Sequence, residues 1–309
     1  MENMPLVTCM IPCYQKFGFL FESIQSVLMQ NYPRIELLIS DDASDHFPID
    51  DVRSYLATHA GNNIVHWAVN HHERNVGIVR NINSLIQAGN GEYFMVLAGD
   101  DLFYDETVIS RVVDRFLSTG VDFLACSRLQ CTENLEPITF LPTEAERNKI
   151  RKLNTARKQF ESFAVFQFLN MASGSAMYFS RKNIEVMGLY DETYRNWEDG
   201  PRLAAYVKRG IPLPTAHDII AVKYRNGGVS NNPAGNLFAF SNITKDRIRY
   251  IKTVTISRPN RHWMLRRRFL FWLAWDECRS RKERILLMIH YPEQGILIAL
   301  RKLTGKRIR

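Results

Sequence analysis

One stretch of this chain restricts its possible folds more than any other. Six uncharged, mostly apolar residues at positions 93–98 are followed by Gly99 and two adjacent carboxylates, Asp100 and Asp101. An unbroken apolar run of this length is typical of a strand buried on both faces, as in a parallel sheet covered by helices. Paired carboxylates beyond such a strand suit Mg²⁺ or Mn²⁺, which would in turn hold a diphosphate. An Asp-Asp pair also serves to end a strand and begin a turn, so the pair alone leaves both interpretations open.

The segments around this stretch alternate between strand-like and helix-like patterns. Strand-like runs occupy residues 6–11, 34–40, 64–69 and 121–129, and helical spacing occupies residues 17–30, 75–88 and 105–117. We expect the first strand to stop at Pro12. This alternation predicts a doubly wound α/β domain. Neither a GxGxxG motif after the first strand nor a GxxxxGK[ST] motif is present, which argues against a dinucleotide oxidoreductase and a P-loop NTPase.

The second half has a less regular pattern. Residues 132–158 are polar and charge-rich, and we interpret them as a long loop or lid, or as a disordered excursion. Helical spacing over residues 160–169 precedes a small-residue turn and strand over 173–180. Residues 211–215 and 219–224 are interpreted as a strand pair.

A further pair of acids follows Asn196 and Trp197. Asn196 is a plausible N-cap, which would place Glu198 and Asp199 in the first turn of a helix. A carboxylate there is stabilised in its ionised form by the helix dipole. Ordinary helix-end electrostatics explains the same pattern, so the acids alone do not establish a site.

The charge of the chain is concentrated at its C-terminal end. Of the 309 residues, positions 251–309 carry fifteen Lys and Arg against four Asp and Glu, while the preceding residues carry 25 basic and 28 acidic side chains. A near-neutral body with a basic tail favours an anionic surface as partner. Five cysteines without CxxC spacing and an N-terminus without a leader pattern predict reduced thiols, no zinc site and a cytoplasmic location.

Six short motifs now stand in a recognisable order. The chain resembles the inverting glycosyltransferases of glycosyltransferase family 2, over residues 5–230. The resemblance implies the GT-A fold, a Rossmann-like, mostly parallel central sheet flanked by helices. The motifs are Ile11-Pro12-Cys13-Tyr14, Asp41-Asp42-Ala43-Ser44, residues 75–81, Ala98-Gly99-Asp100-Asp101, Trp197-Glu198-Asp199 and residues 224–228.

The resemblance assigns the first motifs to a nucleotide-sugar donor. Pro12 and Tyr14 match the edge that faces the base, and Asp41 matches the carboxylate that accepts a hydrogen bond from uracil N3–H. Asp42 is a weaker candidate for the same contact. Arg80 matches a basic residue near the diphosphate, where a guanidinium can bind two phosphate oxygens.

The remaining motifs are assigned to the metal and the acceptor. In the family the residue matching Asp101 usually ligates the divalent cation, and the residue matching Asp100 contacts ribose or a metal-bound water. Asp199 matches the catalytic base, and Glu198 is the second candidate for that role. Some relatives complete the metal site with a His that residues 224–230 lack, which leaves the ligand set open. Residues matched to donor or acceptor sugar are Ser173, Gly174, Ser175 and Trp197.

These expectations define two regions and one leading function. We expect a catalytic domain over residues 1–232, with a nucleotide-binding half at about 1–130 and an acceptor half at 131–232, and a helical extension over 233–309. The extension, through residues 258–309, would contact a membrane surface, cap the domain or, least favoured, bind nucleic acid. The leading function is metal-dependent transfer from a UDP-sugar to a glycan or lipid-linked acceptor in surface polysaccharide biosynthesis. A protein or small-molecule acceptor and a non-catalytic sugar-binding role are the alternatives.

Overall fold

The computed structural model describes residues 4–226, 241–255 and 263–296. The chain divides into two compact units, Met1–Asp246 and Arg247–Arg309. The boundary expected near residue 232 lies outside the described residues, as do residues 227 and 228 of the last motif and residues 258–262 and 297–309 of the extension.

The first unit is built on one sheet with the strand order β3-β2-β1-β4-β8-β6-β9-β5. Strands β1 to β4 are parallel. Strands β1, β2 and β4 are buried along their whole length because helices cover both faces, whereas β3, at the edge of the sheet, is largely exposed. The elements of this half are β1 (Val7–Cys13), α1 (Leu20–Leu28), β2 (Ile35–Asp41), α2 (Ile49–His59), β3 (Ile64–His71), α3 (Ile78–Ala88) and β4 (Tyr93–Val96). The carboxyl ends of β1, β2 and β4 therefore bring the polar or acidic loops that follow them to one edge of the sheet.

The expected stop of the first strand at Pro12 is wrong, because β1 continues to Cys13. The carbonyl of Met10 accepts from Leu97 N–H, on the β4 side. Two residues later the missing N–H of Pro12 faces the same side, where β4 has already ended at Val96. The proline removes no ladder hydrogen bond there, so the strand tolerates it.

The second half of the sheet is mixed. Strand β8 runs antiparallel to both β4 and β6, and β6 pairs in parallel with β9. The elements are β5 (Leu102–Phe103), α4 (Val108–Thr119), β6 (Phe123–Cys131), β7 (Pro137–Leu141), α5 (Glu144–Ile150), α6 (Ala156–Phe163), a 3-10 turn (Gly174–Ala176), β8 (Met177–Ser180), α7 (Arg181–Met187), α8 (Asp199–Lys208), β9 (Thr215–Arg225) and α9 (Ser241–Tyr250).

Two expectations for this half are wrong. Residues 132–158 are not an irregular loop: β7 pairs with β6, and α5 begins at a capping box in which Thr143 and Glu146 satisfy each other's backbone N–H. Residues 211–215 and 219–224 do not form a strand pair, because Thr215–Arg225 is one continuous strand. That strand is irregular where it passes β6 at Cys126 and Ser127, which explains the break in its apolar pattern.

The second unit contains α10 (Trp263–Glu277) and α11 (Arg281–His290). Phe271 is buried between these helices, where its ring contacts those of Trp275 and Tyr291. Helix α11 leaves Ile285, Leu286 and Ile289 exposed beside its basic residues. Every helix among the described residues is too short or too polar to cross a bilayer.

Candidate active site

The turn after β4 holds Asp101 in a buried, hydrogen-bonded position. Ser175 Oγ donates to Asp101 Oδ2 at 2.8 Å, and the backbone N–H of Arg225 donates to Oδ1 at 3.1 Å. Burial and the neighbouring charge of Asp100 nevertheless raise the pKa of Asp101 to about 7. The first of the two acids, Asp100, is partly exposed. The turn thus holds two adjacent carboxylates whose negative charge a bound cation would stabilise.

Arg225, at the end of β9, fixes this turn from the other side. Its guanidinium donates to the carbonyls of Asp100 and Glu133 at 3.0 and 3.1 Å, pairs with Glu22 and lies over the ring of Phe19. The residue was noted in a motif but given no role. Its role depends on contacts with segments 92 to 203 residues away in sequence, and no local pattern indicates them.

The second acidic pair stands at the start of α8. The helix begins at Asp199 with Glu198 in the N-cap position, so the expected N-cap role of Asn196 is wrong. Backbone N–H groups of Arg195 and Asn196 instead donate to the buried Asp246 of α9, at 3.1 and 2.6 Å. Asp246 was not predicted, since it lies about fifty residues downstream.

The structure brings the two acidic pairs together through the segment Ser173-Gly174-Ser175. Ser175 binds Asp101, while a methyl group added to Gly174 would lie 2.8 Å from Glu198 Oε1. Ser173 Oγ is buried without a hydrogen-bond partner in the described part of the chain. Three adjacent small residues therefore lie between the candidate metal turn and Glu198, the first acid of the second pair.

Trp197 shapes the surroundings of Asp199. Its indole stacks on Phe166 with ring centroids 5.7 Å apart, and its N–H donates to the Asp199 carboxylate. The backbone N–H of Gly200 also donates to Asp199, at 2.6 Å. A side chain at Gly200 would collide with the indole, since an added methyl group would lie 2.2 Å from Trp197 Cζ2. The glycine therefore permits the indole to reach back to the acid.

Glu198 and Asp199 differ in the contacts that favour their ionised forms. Burial and the charge of Asp199 raise the pKa of Glu198 to about 8. Burial also raises the pKa of Asp199, but the N–H groups of Gly200 and Trp197 and the charge of Arg128 oppose this rise. The two N–H donors and the charge of Arg128 favour the ionised form of Asp199, and Glu198 lacks these contacts.

At the end of β2, Asp41 and Asp42 bind different neighbours. The buried Asp41 accepts from Ser44 N–H and Oγ at 2.8 and 2.6 Å, and its Oδ2 lies 2.8 Å from Nδ1 of His71. Asp42 accepts from the N–H groups of Val76 and Gly77. Both carboxylate oxygens of Asp42 thus bind the backbone of the loop before α3. By contrast, Oδ1 of Asp41 accepts from one donor among the described residues.

The other predicted nucleotide-side residues lie around these acids. Tyr14 is about half exposed (49%) in the loop after β1, as a ring available to stack on a base would be. The backbone N–H of Gln15, the residue after Tyr14, donates to Ser44 Oγ. Because Ser44 also binds Asp41, it joins this loop to Asp41. Arg80 is exposed on α3 and pairs with Glu192 at 3.0 Å, rather than with another predicted site residue.

Asp100 and Asp101 fit a divalent cation in part. Among the described residues, no cluster of three or more His, Cys, Asp or Glu side chains is arranged to hold a metal. The two acids supply hard oxygen ligands, and burial together with the charge of Asp100 raises the pKa of Asp101. A cation here would need further oxygen ligands from the substrate or water.

Fold and site define a class: a GT-A-type sheet with acidic turns at its carboxyl edge. The family model described as Glycosyl transferase family 2 matches residues 8–186, more than half of the chain. The chain therefore belongs to glycosyltransferase family 2, and the predicted family and fold are confirmed.

Two curated proteins are similar to this chain in sequence. An uncharacterized glycosyltransferase of Bacillus subtilis, EpsJ, is 24% identical over 204 residues, covering 64% of this chain and 54% of that protein. An uncharacterized glycosyltransferase of Rickettsia typhi is 32% identical over 108 residues, covering 35% of this chain and 31% of its own length. The chain thus spans about half or less of these two relatives.

Solved structures share the fold at low identity. S. aureus TarS 1-349 in complex with UDP-GlcNAc superposes with a TM-score of 0.59 at 12% identity, covering 92% of this chain and 79% of that one. The mannosyltransferase PcManGT of Pyrobaculum calidifontis, in complex with GDP-Man and Mn²⁺, gives 0.55 at 15% identity, with 96% and 81% covered.

Proposed function

We propose that this protein transfers a sugar, with inversion, from a nucleotide-sugar donor to a hydroxyl group of an acceptor. The observation that carries the proposal is the joining of two acidic pairs by the segment Ser173–Ser175, with Asp101 bound to Ser175 and Glu198 lying against Gly174. One pair is placed to hold a leaving group and the other to activate an acceptor. This is a hexosyltransferase-type activity.

The donor is a nucleotide sugar bound at the carboxyl edge of β1, β2 and β4. Tyr14 faces the base, Asp41 accepts from uracil N3–H through its less occupied oxygen, and Asp100 contacts the ribose or a metal-bound water. UDP is favoured over other nucleotides because a fixed acceptor at that position suits the N3–H of uracil. Structural relatives with this fold bind UDP, UDP-GlcNAc or GDP-Man.

Asp101, with Asp100 beside it, would hold Mn²⁺ or Mg²⁺ together with diphosphate oxygens and water. When bound, the cation offsets negative charge on the departing nucleoside diphosphate. The protein's own part is to hold these carboxylates in place, through Ser175 and the backbone of Arg225. The PcManGT complex contains Mn²⁺, which supports the choice of metal.

Asp199 acts as the base. Its carboxylate takes the proton of the acceptor hydroxyl as that oxygen attacks the anomeric carbon, and attack opposite to the leaving group inverts the configuration. Trp197 N–H and Gly200 N–H orient the carboxylate. Glu198, protonated, orients the acceptor or donor sugar from the side of Gly174.

The acceptor is a glycan or a lipid-linked oligosaccharide in surface polysaccharide biosynthesis, used at the inner face of the cell membrane. The basic tail supports this choice, because an anionic bilayer attracts clustered Lys and Arg beside apolar side chains such as Ile285 and Leu286. A chain truncated after Ser257 is expected to lose co-sedimentation with anionic vesicles. Retained binding would contradict the membrane role of the tail and leave the transfer activity in place.

A screen of nucleotide sugars for UDP or GDP release tests the function. Slow donor hydrolysis is the readout, with and without Mn²⁺. Release from one UDP-sugar, dependent on Mn²⁺ and absent in Asp199→Asn, is the expected result. Saturable UDP-sugar binding without any release would instead favour a non-catalytic sugar-binding role.

A further inference from the structure

The carboxylate of Asp41, which the proposed donor site places against the base, has most of its hydrogen-bonding capacity filled by protein. Its Oδ2 accepts from Ser44 N–H at 2.8 Å and lies 2.8 Å from Nδ1 of His71. Its Oδ1 accepts from Ser44 Oγ at 2.6 Å. A carboxylate has about four lone-pair positions, two on each oxygen. The described residues therefore fill both positions on Oδ2 and one of the two on Oδ1.

His71 supplies one of the two donors to Oδ2 of Asp41. An ionised carboxylate has no hydrogen to donate, so Nδ1 of His71 carries the hydrogen of this bond. His71 is the register partner of Asp41 in the pairing of β2 with β3, and the next backbone N–H, that of His72, donates to the Asp41 carbonyl at 3.0 Å. The imidazole also stacks on Phe47, with ring centroids 5.8 Å apart and ring planes inclined by 6°. These contacts fix the imidazole with its N–H on Oδ2.

The number of free lone pairs decides which base edge Asp41 can bind. Uracil presents one N–H, that of N3, and a single acceptor position is enough for it. Guanine presents two neighbouring N–H groups, at N1 and N2, and binds a carboxylate best when each oxygen accepts one of them. Cytosine and adenine present a ring nitrogen that is itself an acceptor, which a carboxylate repels. Because Asp41 is buried, water does not compensate for a base N–H that finds no acceptor there.

We propose that His71 is a specificity-determining residue that restricts the donor to a uracil nucleotide by occupying Oδ2 of Asp41. The inference deepens the proposed function, because it rests on a nucleotide-sugar donor whose base lies against Asp41. With His71 in place, Oδ1 keeps one position for uracil N3–H, and the second N–H of guanine finds no acceptor on Oδ2. His71 acts through Asp41. Its side chain is 41% exposed, so substitutions there disturb the core little.

Calorimetry of the full chain with UDP and with GDP, both in saturating Mn²⁺, measures this selectivity. The two nucleotides share the ribose, the diphosphate and the metal, so the ratio of their Kd values reports the base alone. The wild type is expected to bind UDP at least about 10-fold more tightly than GDP, because GDP leaves a buried donor unpaired. His71→Ala frees a position on Oδ2, and the ratio is expected to fall by about 5-fold or more, with a gain in GDP affinity.

Two further variants separate the hydrogen bond from other effects of the substitution. His71→Asn keeps a donor, since the amide nitrogen of asparagine can take the place of Nδ1, and its ratio should stay close to that of the wild type. His59→Ala is the matched control. His59 also stacks on an aromatic ring, that of Tyr55 at 4.2 Å, but its Nδ1 lies 2.9 Å from the Tyr55 carbonyl rather than from an acid. Its ratio should equal that of the wild type.

An unchanged ratio in His71→Ala, including an equal loss of both affinities, would overturn the proposal and leave His71 a structural residue. An equal fall of the ratio in His71→Ala and His71→Asn would also overturn it, because the donor on Oδ2 would then not be the cause.

Turnover distinguishes this inference from the proposed function. A UDP preference that falls in His71→Ala, in a protein that releases no nucleoside diphosphate from any donor, would reject sugar transfer and keep the specificity role of His71. Transfer from a UDP-sugar with an unmoved ratio in His71→Ala would do the reverse.

Discussion

The two acidic pairs of this protein are alike in sequence and different in construction. Asp100–Asp101 follows a buried strand, and its inner acid is bound by a hydroxyl and by a backbone N–H that comes from β9. Glu198–Asp199 begins a helix, and its second acid is bound by an indole and by the adjacent backbone. In both pairs burial raises the pKa of a carboxyl group into or above the neutral range, to about 7 in Asp101 and about 8 in Glu198.

The difference lies in what would relieve each pair. The turn at Asp101 is rigidly tied by Arg225 to α1 and to the loop after β6, so a cation relieves its charge without movement. The two acids of the pair at Glu198 are unequal, because the charge of Arg128 favours the ionised form of Asp199. One pair is thus suited to bind a metal and the other to exchange a proton.

The largest expected effect comes from Asp199→Asn, which removes the proposed base and retains the shape of the side chain. Transfer should fall by about 10³-fold, within the range that general bases contribute, while UDP affinity stays close to that of the wild type. UDP release and calorimetry measure the two quantities. Asp191→Asn, at an exposed acid just upstream, is the control. Turnover near the wild-type rate in Asp199→Asn would move the role to Glu198.

Asp101→Asn should affect binding instead. Loss of a charged ligand is expected to weaken Mn²⁺-dependent UDP binding by at least about 10-fold, since even indirect ligand contacts are worth that much. Calorimetry with and without Mn²⁺ measures it, and Asp114→Asn, at an exposed acid on α4, serves as control. Equal affinity for UDP in Mn²⁺ would contradict the metal assignment and remove the contrast between the pairs.

The sequence predicts the order of these pairs better than their surroundings. Asp101 and Asp199 were identified because each stands in a short motif, and the parallel half of the sheet because strand-like and helix-like segments alternate there. Some interactions around the site join residues that are far apart in the sequence, and no local pattern indicates them. These are the interactions of Arg128, Arg225 and Asp246. Helix α5 was missed although Thr143-Glu144-Ala145-Glu146 is a capping-box pattern.

Helix α2 and the single strand β9 were missed for related reasons. Helix α2 buries only Val52 and Leu56, so its apolar stripe is too narrow to be evident in a polar stretch. Strand β9 is interrupted by the polar residues His217 and Asp218, and each of them has a partner that only the fold provides. His217 contacts the Met171 carbonyl, and Asp218 pairs with Arg115.

Stability as a function of pH distinguishes the pairs further. The pKa of Glu198 is about 8 in the folded protein against 4.5 for the free side chain. Its contribution to the free energy of unfolding is therefore fully present below pH 4.5 and is lost as pH rises through 8. Glu198→Gln removes this loss. Its Tm relative to the wild type should therefore rise by a few °C between pH 5 and pH 9.

Asp101→Asn supplies the comparison for this measurement. The pKa of Asp101 is raised from 3.8 to about 7, so the same gain should develop at lower pH, between about 4 and 7. Saturating Mn²⁺ and UDP should abolish the gain of Asp101→Asn and leave that of Glu198→Gln unchanged. If the ligands abolished both gains equally, the two pairs would not have separate roles.

The smallest expected effect is that of Ser175→Ala, which tests the link between the pairs. The hydroxyl donates one hydrogen bond to a charged oxygen of Asp101, worth about 1–2 kcal/mol or roughly 5- to 30-fold. Some of this is recovered when a cation binds the carboxylate, so we expect UDP affinity in Mn²⁺ to fall by only about 5-fold. Ser118→Ala, at an exposed serine, is the calorimetric control. An effect as large as that of Asp101→Asn would mean that Ser175 itself contacts the donor. The Ser173–Ser175 segment would then belong in part to the leaving-group side of the site and in part to the acceptor side.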